Sequence, residues 1–453
     1  MSLPIRIHMN SLGCAKNLVN AEQMLALLRQ EGMEIVEDPS LADAAIINTC
    51  GFIDAAKQEA IDAILETAAL KEQGSLKALV ATGCLVERYQ DEIMAELPEL
   101  DAVCGAGSYT DIVQAVRQAL AGKKAAFFQP AAQAALEGSR RLLTPAYSVF
   151  LRIAEGCNNH CSYCVIPSLR GPFRSRPIES VVQEARELAE KGAKELLVVA
   201  QDTTRYGTDL YGRRALPELL EQLCQIPGVE WVRLHYLYPD ELDDGLLDVM
   251  ERYPAAVPYF DIPIQHISDR VLRQMNRRGD GALIRERIAT IRRRFPQAVI
   301  RTSLIVGFPG ETEEEFDELY RFLDEYKLER AGVFCYSQEE GSVAAAMEGQ
   351  IAEEEKERRR EILEELQDAV MDEFSQGLIG KTMKTLCCGY DEERQMYLGR
   401  TYMDSPEVDG IVYFDAEQPT EEGTFVEVEI QSAIGAELIG QAVLEVGGYD
   451  DGK

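Results

Sequence analysis

Three cysteines lie close together in the segment Cys157-Asn-Asn-His-Cys161-Ser-Tyr-Cys164. They directly follow the apolar run Phe150-Leu-Arg-Ile-Ala154, which reads as a β-strand. A short loop with three thiols can bind three irons of a 4Fe-4S cluster and leave the fourth iron without a protein ligand. A ferredoxin, in contrast, binds all four irons through four cysteines. The spacing therefore predicts a cluster whose open iron binds a substrate.

Zinc is the alternative metal for this loop, because closely spaced cysteines often bind zinc and His160 offers a fourth ligand. His160 is adjacent to Cys161, however, and no second Cys-x-x-Cys pair completes a structural zinc site. The iron-sulfur interpretation is favoured.

Three more cysteines, Cys14, Cys50 and Cys84, each follow a predicted strand and have a glycine as a direct neighbour. The carboxyl ends of parallel strands form a common ligand crevice, so these thiols are expected to converge on one site. The alternative is that each one only packs in a core. Three cysteines in equivalent places favour the site. For the remaining five we favour packing: Cys104, Cys224, Cys335, Cys387 and Cys388.

The elements that must position these residues predict an α/β multidomain chain. Strand-like and helical runs alternate first as an open parallel sheet and then as six strand-helix units, typical of a partial (β/α)6 barrel. The fourth and fifth of those strands are predicted at Tyr259–Ile264 and Val299–Val306. Alternation by twos near the end predicts a small antiparallel β-barrel. The expected divisions are an α/β domain at 4–122, a linker at 123–145, the barrel at 146–350, a connecting helix at 351–376 and the β-barrel at 377–449.

Composition predicts a globular, cytoplasmic protein, with 46% hydrophobic and 27% charged residues in 453. No apolar run of about 18 residues predicts a membrane span, and the first 20 residues carry no signal-peptide core. In a reducing compartment the 11 cysteines are expected to be ligands, redox groups or packing residues. The net charge of −32 argues against phosphate binding as the main source of affinity and favours a basic partner. Solubility alone is the alternative.

The segment Cys-x-x-x-Cys-x-Tyr-Cys after the first barrel strand resembles the radical S-adenosylmethionine superfamily. The resemblance implies that S-adenosylmethionine chelates the open iron and is cleaved to methionine and a 5'-deoxyadenosyl radical. It extends over nearly the whole chain to the methylthiotransferases, which end in a β-barrel of the TRAM type. The matching segments are Ser11-Leu-Gly-Cys14-Ala-Lys-Asn17, Asn48-Thr-Cys50-Gly-Phe52, Gly83-Cys84, Cys157 to Pro167, Arg170-Gly171, Ser175-Arg176 and Ile305 to Thr312.

By that resemblance, Cys14, Cys50 and Cys84 hold a second 4Fe-4S cluster that carries the sulfur to be inserted. Two molecules of S-adenosylmethionine are used per turnover. One methylates the cluster-bound sulfur, and the other provides the radical that removes a hydrogen atom from the substrate. An electron donor and a sulfur donor are implied as partners.

Further residues at the carboxyl ends of the barrel strands are expected to contact S-adenosylmethionine or substrate. Gln201 and Asp202 follow the second strand, and Gln265 and His266 follow the fourth. Gly307, after the fifth strand, would allow close approach to the adenosyl group. A structural role for His266, and a simple turn at Gly307, are the alternatives.

The family has one branch that modifies an aspartate of the small-subunit ribosomal protein S-twelve and others that modify an adenosine of transfer RNA. Three segments resemble the protein branch: 201–207, Gln338-Glu-Glu-Gly341, and 404–410, in which Ser405 replaces an expected alanine. Residues 381–453 hold 16 acidic and 5 basic residues, a net charge of −11, whereas an RNA-binding barrel should be basic. The chain is therefore expected to methylthiolate the β-carbon of that aspartate, and RNA contact is not favoured. The alternatives are the transfer-RNA reaction and a non-catalytic iron-sulfur sensor or assembly protein.

Overall fold

A computed structural model describes residues 3–443 of the chain, which begins with a six-stranded parallel sheet. The strand order is β2-β1-β3-β4-β5-β6, with α1 and α4 packed on one face and α2 and α3 on the other. The two central strands are buried throughout, because helices cover both faces of the sheet. The bounds are β1 (Arg6–Ser11), α1 (Ala15–Gln30), β2 (Glu34–Ile35), β3 (Ala44–Thr49), α2 (Asp54–Glu72), β4 (Ala78–Gly83), α3 (Cys84–Glu96), β5 (Ala102–Gly105), α4 (Ile112–Leu120) and β6 (Ala125–Phe127).

The segment 123–145 is not wholly a linker, which corrects the sequence-based division. Its residues Ala125–Phe127 form β6, which pairs in parallel with β5 and completes the first sheet. The rest of the segment runs between the two sheets. There Arg140 forms ion pairs with Glu22 of α1 at 2.5 Å and with Glu184 of α6 (Ile178–Glu190) at 2.7 Å. Because these buried ion pairs fix the segment to both domains, it does not behave as a flexible linker.

The second sheet is a six-stranded parallel half-barrel with the order β14-β13-β12-β11-β10-β7, as the six predicted units require. A short antiparallel pair, β8 and β9, stands outside it. The remaining bounds are β7 (Ser148–Arg152), β8 (Ala154–Glu155), α5 (Ile166–Arg170), β9 (Arg174–Ser175), β10 (Glu195–Val199), α7 (Leu216–Cys224), β11 (Trp231–Leu234), α8 (Asp244–Arg252), β12 (Ala256–Asp261), α9 (Asp269–Gln274), α10 (Gly281–Arg294), β13 (Val299–Val306), α11 (Glu313–Tyr326), β14 (Arg330–Cys335) and α12 (Glu353–Gln376).

The chain ends in a closed five-stranded barrel with the order β15-β16-β17-β19-β18. It is not purely antiparallel, because the chain skips one place in the ring between β17 and β18, and β19 fills that place parallel to β17. The predicted residues 444–449 lie outside the described part of the chain. The bounds are β15 (Thr382–Asp391), β16 (Met396–Thr401), β17 (Ile411–Asp415), β18 (Phe425–Ile434) and β19 (Glu437–Ala442).

None of the helices within residues 3–443 combines the length and the apolar character that a membrane crossing requires.

Glu339, just after β14, connects the half-barrel to the first domain. Its carboxylate accepts hydrogen bonds from the backbone N–H of Asp54 at 2.9 Å, from Lys57 at 3.0 Å and from Arg88 at 2.8 Å. The side chain is 1% exposed. Glu339 lies in the segment that resembles the protein-modifying branch, so that segment sets how the two domains meet.

We expect Glu339→Ala to lower the free energy of unfolding by about 3 kcal/mol, because it leaves the cations of Lys57 and Arg88 without a carboxylate. Urea unfolding followed by circular dichroism measures the change. The neighbouring Glu340 is exposed, so Glu340→Gln is the matched control and should be within about 0.5 kcal/mol of wild type. Equal effects of the two substitutions would contradict the interdomain role.

Candidate active site

Cys157, Cys161 and Cys164 lie in the loop between β8 and α5, beyond the carboxyl end of the first barrel strand. Each sulfur is within reach of one N–H donor, as the sulfurs of protein-bound iron-sulfur clusters commonly are. The donors are the backbone N–H of Asn159 at 3.4 Å from Cys157 Sγ, the backbone N–H of Ile166 at 3.4 Å from Cys164 Sγ, and the Arg277 guanidinium at 3.8 Å from Cys161 Sγ.

Burial keeps the thiols of Cys157 and Cys164 protonated in the absence of metal. It raises the pKa of Cys157 to about 11 and that of Cys164 to about 12. Metal binding at this loop therefore releases protons, as it does wherever thiolate ligands form from buried thiols.

The structure brings Cys14, Cys50 and Cys84 together at the carboxyl edge of the first sheet, as their equivalent positions predict. A Cβ atom placed on Gly13 would lie 2.8 Å from Cβ of Cys50. A Cβ atom placed on Gly51 would lie 2.8 Å from the carbonyl carbon of Cys84. Both glycines are required for this convergence, because any larger residue would push the three loops apart.

Cys14 differs electrostatically from the other two cysteines of its group. Its side chain reaches open space, yet the surrounding protein is dense enough that desolvation raises its pKa. The cations of Lys16 and Arg170 outweigh that effect and bring the pKa of Cys14 below its usual value. Burial raises the pKa of Cys50, and raises that of Cys84 to about 11.

Arg170, the last residue of α5, connects the two cysteine groups. Its Nε lies 3.3 Å from Cys84 Sγ, and a terminal nitrogen donates to Asn17 Oδ1 at 3.0 Å. The guanidinium also lies 3.6 Å from the carboxylate of Glu155. Because α5 begins two residues after Cys164, this one side chain ties the loop of the first group to the second group.

Neither group of three cysteines has the compact sulfur arrangement of a preformed single-zinc site. Zn–S bonds of about 2.3 Å hold the sulfurs of a tetrahedral site about 3.8 Å apart. Within residues 3–443, neither group of three cysteines has all its sulfurs within 4.8 Å of one another; the one set of Cys, His, Asp or Glu that does comprises Cys335, Glu353 and Glu357.

Gln201 and Asp202 lie directly against the first cysteine loop. Asp202 is completely buried and accepts hydrogen bonds from Asn159 Nδ2 at 2.7 Å and Thr204 Oγ1 at 2.6 Å. Gln201 donates to Glu155, while Gln201 Oε1 is a buried atom with no hydrogen-bond partner among the described residues. An unpartnered buried oxygen beside the loop fits contact with a polar small molecule such as S-adenosylmethionine.

The other three expected contacts have different surroundings. Gln265 adopts a left-handed conformation (φ 70°) beside β13. His266 is fully buried and accepts a hydrogen bond from the backbone N–H of Ser268 at Nδ1, and burial lowers its pKa to about 3. A Cβ atom on Gly307 would come 2.3 Å from Cγ of Lys356 in α12. His266 Nε2 is a buried atom with no hydrogen-bond partner among the described residues, so contact of His266 with S-adenosylmethionine or substrate stays a prediction. The close approach of Lys356 is consistent with the turn alternative for Gly307.

Two residues that sequence reasoning did not single out also occupy the reactive end. Tyr236, just past β11, adopts a left-handed conformation with φ 58°, which is strained for a non-glycine residue. The Nζ atom of Lys16 lies 3.8 Å from the centroid of the Tyr236 ring. In the sequence, the one indication that Lys16 or Arg170 has a functional role is that both lie in segments that resemble the methylthiotransferases.

The five remaining cysteines divide by burial. Cys104 and Cys387 are completely buried, in the core of the first sheet and in that of the β-barrel, as packing predicts. Cys224, Cys335 and Cys388 are half-buried.

Three family models match the chain. The radical SAM superfamily matches residues 151–323, the uncharacterized protein family UPF0004 matches residues 6–105, and the TRAM domain matches residues 379–443. The three matches cover, in order, the half-barrel, the first sheet and the terminal barrel.

Curated relatives resemble the chain over nearly its full length. The ribosomal protein uS12 methylthiotransferase RimO of Lachnoclostridium phytofermentans is 44% identical, covering 97% of this chain and 100% of the relative. The protein of the same name from Desulforamulus reducens is 46% identical, covering 95% and 98%. Among solved structures, the radical S-adenosylmethionine methyltransferase TsrM of Kitasatospora setae has a TM-score of 0.55 at 14% identity, covering 74% of this chain and 75% of that one. That likeness shows the fold alone.

Proposed function

The chain belongs to the methylthiotransferase family of radical S-adenosylmethionine enzymes, and we propose that it adds a methylthio group to the β-carbon of an aspartate in ribosomal protein uS12, the small-subunit protein S-twelve. The observation that carries this proposal is the proximity of two groups of three cysteines: Arg170 contacts Cys84 of one group, and its helix α5 begins two residues after Cys164 of the other. One group alone would support radical chemistry of unspecified purpose. Two neighbouring groups support radical formation and sulfur insertion at one site.

The six cysteines would hold two 4Fe-4S clusters: Cys157, Cys161 and Cys164 one, and Cys14, Cys50 and Cys84 the other. When bound, these clusters and S-adenosylmethionine supply the radical, the methyl group and the sulfur. Gln201 and Asp202, fixed by Glu155 and Asn159, would orient S-adenosylmethionine beside the first loop.

The protein itself excludes water and fixes positions around these groups. Arg170 and Arg277 place a cation beside one sulfur of each group, which stabilises negative charge at those sulfurs. Arg170 is 3% exposed and is anchored by Asn17 and Glu155. A cation held by two partners keeps its geometry when the substrate enters, and this preorganisation is what a positioning residue contributes.

Charge supports a protein substrate over RNA. Residues 381–453 have a net charge of −11, and a basic ribosomal protein would be attracted to such a surface where the phosphates of RNA would be repelled. We therefore propose a basic protein partner with no RNA contact, together with an electron donor and a sulfur donor. The transfer-RNA reaction and the non-catalytic sensor are the disfavoured alternatives.

We expect the anaerobically reconstituted enzyme, given S-adenosylmethionine, dithionite and sulfide, to convert a peptide bearing the uS12 aspartate loop to a product heavier by one CH2S unit. Tandem mass spectrometry should locate the added mass on the aspartate. A transfer-RNA anticodon stem-loop in the same mixture should stay unmodified.

The matched control replaces the target aspartate of the peptide with alanine, which keeps a β-carbon but removes the carboxylate bonded to it, and leaves the rest of the loop unchanged. Modification of the stem-loop without modification of the peptide would refute the protein-substrate proposal. Absence of 5'-deoxyadenosine from the reduced, reconstituted enzyme would instead support the sensor.

A further inference from the structure

Lys16 is a buried cation between the two domains. It is the second residue of α1, two positions after Cys14, and is 7% exposed. Its Nζ lies 3.8 Å from the ring centroid of Tyr236, which follows β11 of the half-barrel. The ammonium therefore stands between the sulfur-presenting edge of the first sheet and the reactive end of the second.

This ammonium has no carboxylate partner in the part of the chain that the structure describes. Lys16 Nζ forms no ion pair of 4.0 Å or less with a carboxylate of residues 3–443, and the groups that favour its charged form are the Tyr236 side chain, the Cys14 sulfur and Glu155. Glu155, the nearby carboxylate, is already engaged by Arg152 at 3.0 Å and Arg170 at 3.6 Å. Lys16 keeps an unused capacity to bind an anion.

The position is unfavourable for a cation that serves only the fold. The amino terminus of a helix carries partial positive charge, so a lysine in the first turn of α1 is repelled by the helix. Burial further disfavours the charged form of the ammonium, and no carboxylate of the described residues at ion-pair distance offsets that effect. Other buried cations of this region, such as Arg140 and Arg152, have carboxylate partners within 3.0 Å. Lys16 departs from that pattern.

We propose that Lys16 binds the side-chain carboxylate of the substrate aspartate and so selects an acidic residue as the target. The inference rests on the proposed function. The carbon to be modified is bonded directly to the carboxylate carbon, so a cation that fixes the carboxylate also fixes the reacting carbon. Because Lys16 is two residues from Cys14, the fixed carbon stands beside the group that presents sulfur. A carboxamide of the same shape carries no charge and leaves the ammonium unpaired.

The competing account is that Lys16 only balances negative charge on the cluster held through Cys14. That account predicts loss of iron when Lys16 is replaced. Carboxylate recognition predicts that iron content stays at the wild-type value while discrimination between an acid and an amide is lost.

The test compares wild type and Lys16→Gln on two uS12 loop peptides, one with the target aspartate and one with asparagine in its place. We expect Lys16→Gln to lower kcat/KM for the aspartate peptide by about 100-fold, the typical effect of truncating one partner of a buried charge pair. The ratio of kcat/KM for aspartate over asparagine should fall toward one. Calorimetry with the holoenzyme should show weaker binding of the aspartate peptide and unchanged binding of the asparagine peptide.

Lys191 is exposed at the end of α6, so Lys191→Gln is the matched control and should behave as wild type. An unchanged aspartate-to-asparagine ratio in Lys16→Gln, or a loss of iron, overturns carboxylate recognition while leaving the proposed function intact. If the wild type modifies neither peptide, the proposed function fails and the inference fails with it.

Discussion

The Cys161→Ala variant is expected to form no 5'-deoxyadenosine and no methylthiolated peptide, while Cys50→Ala loses only the second product. Cys161 belongs to the loop after the first barrel strand, and Cys50 to the edge of the first sheet. If the two groups hold separate clusters, each variant should lose about four of eight irons. Radical formation needs only the first cluster, so cleavage of S-adenosylmethionine survives in Cys50→Ala.

Liquid chromatography with mass spectrometry measures both products, and colorimetry measures iron. Cys104→Ala is the matched control, because Cys104 is buried in β5 of the same sheet as Cys50. It should keep both products and all its iron, with a loss of stability of about 1 kcal/mol. Loss of 5'-deoxyadenosine in Cys50→Ala as well would mean that the two groups do not act separately.

The sequence predicts the strands of the half-barrel well because they are apolar runs of ordinary length between helices. The predicted and observed bounds of β13 are the same, Val299–Val306. The fourth strand is displaced: Tyr259–Ile264 is predicted and Ala256–Asp261 is observed. The apolar pattern continues past the end of the strand, but Pro263 there has no N–H for a ladder hydrogen bond.

The short strands at the edges of the first sheet are not predicted from the sequence. Residues Glu34–Ile35 and Ala125–Phe127 pair at the two edges of the first sheet. Two or three residues carry no measurable periodicity, and their pairing is determined by the strand already in place beside them. This is why the segment 123–145 reads as a linker although it begins with a strand.

The sequence predicts the cysteines of the candidate site, but it does not predict the roles of the side chains between them. Cys14 and Cys157 stand out through spacing and strand context. The role of Arg170 depends on α5 meeting the first sheet, and that of Lys16 on α1 meeting Tyr236. These contacts are between residues more than 80 positions apart in the sequence, so they can be identified only in the folded structure.

Glu195, at the start of β10, is expected to give the largest loss of stability of any substitution considered for this chain. Its completely buried carboxylate accepts hydrogen bonds from Arg233 at 3.0 Å, Arg400 at 2.7 Å and Ser148 at 2.8 Å. Arg400 belongs to β16, so this cluster fastens the terminal barrel to the amino-terminal ends of the half-barrel strands. Glu195→Ala leaves two buried cations uncompensated and should cost about 3–5 kcal/mol of unfolding free energy.

An exposed ion pair between the same two domains provides the control. Lys384 of β15 lies 2.7 Å from Glu230, with both side chains more than 40% exposed. Glu230→Gln should therefore cost less than about 1 kcal/mol. Chemical unfolding at pH 7 measures both changes, and comparable losses for the two variants would show that burial is not what makes Glu195 important.

The pH dependence of stability separates the charge of Glu195 from its shape. Burial alone would raise its pKa, but Arg400 and Arg233 outweigh burial and hold the pKa at about 2, against an ordinary 4.5. A carboxyl group whose folded-state pKa is lowered contributes its stabilisation above the unfolded-state pKa and loses it as the pH falls through the folded-state pKa. Glu195→Gln keeps the shape and has no proton to gain, so its unfolding free energy should be lower than that of wild type at pH 7 and should decline less between pH 4.5 and pH 2. Parallel declines of the two proteins across that window would mean that Glu195 is not held as a carboxylate in the folded chain.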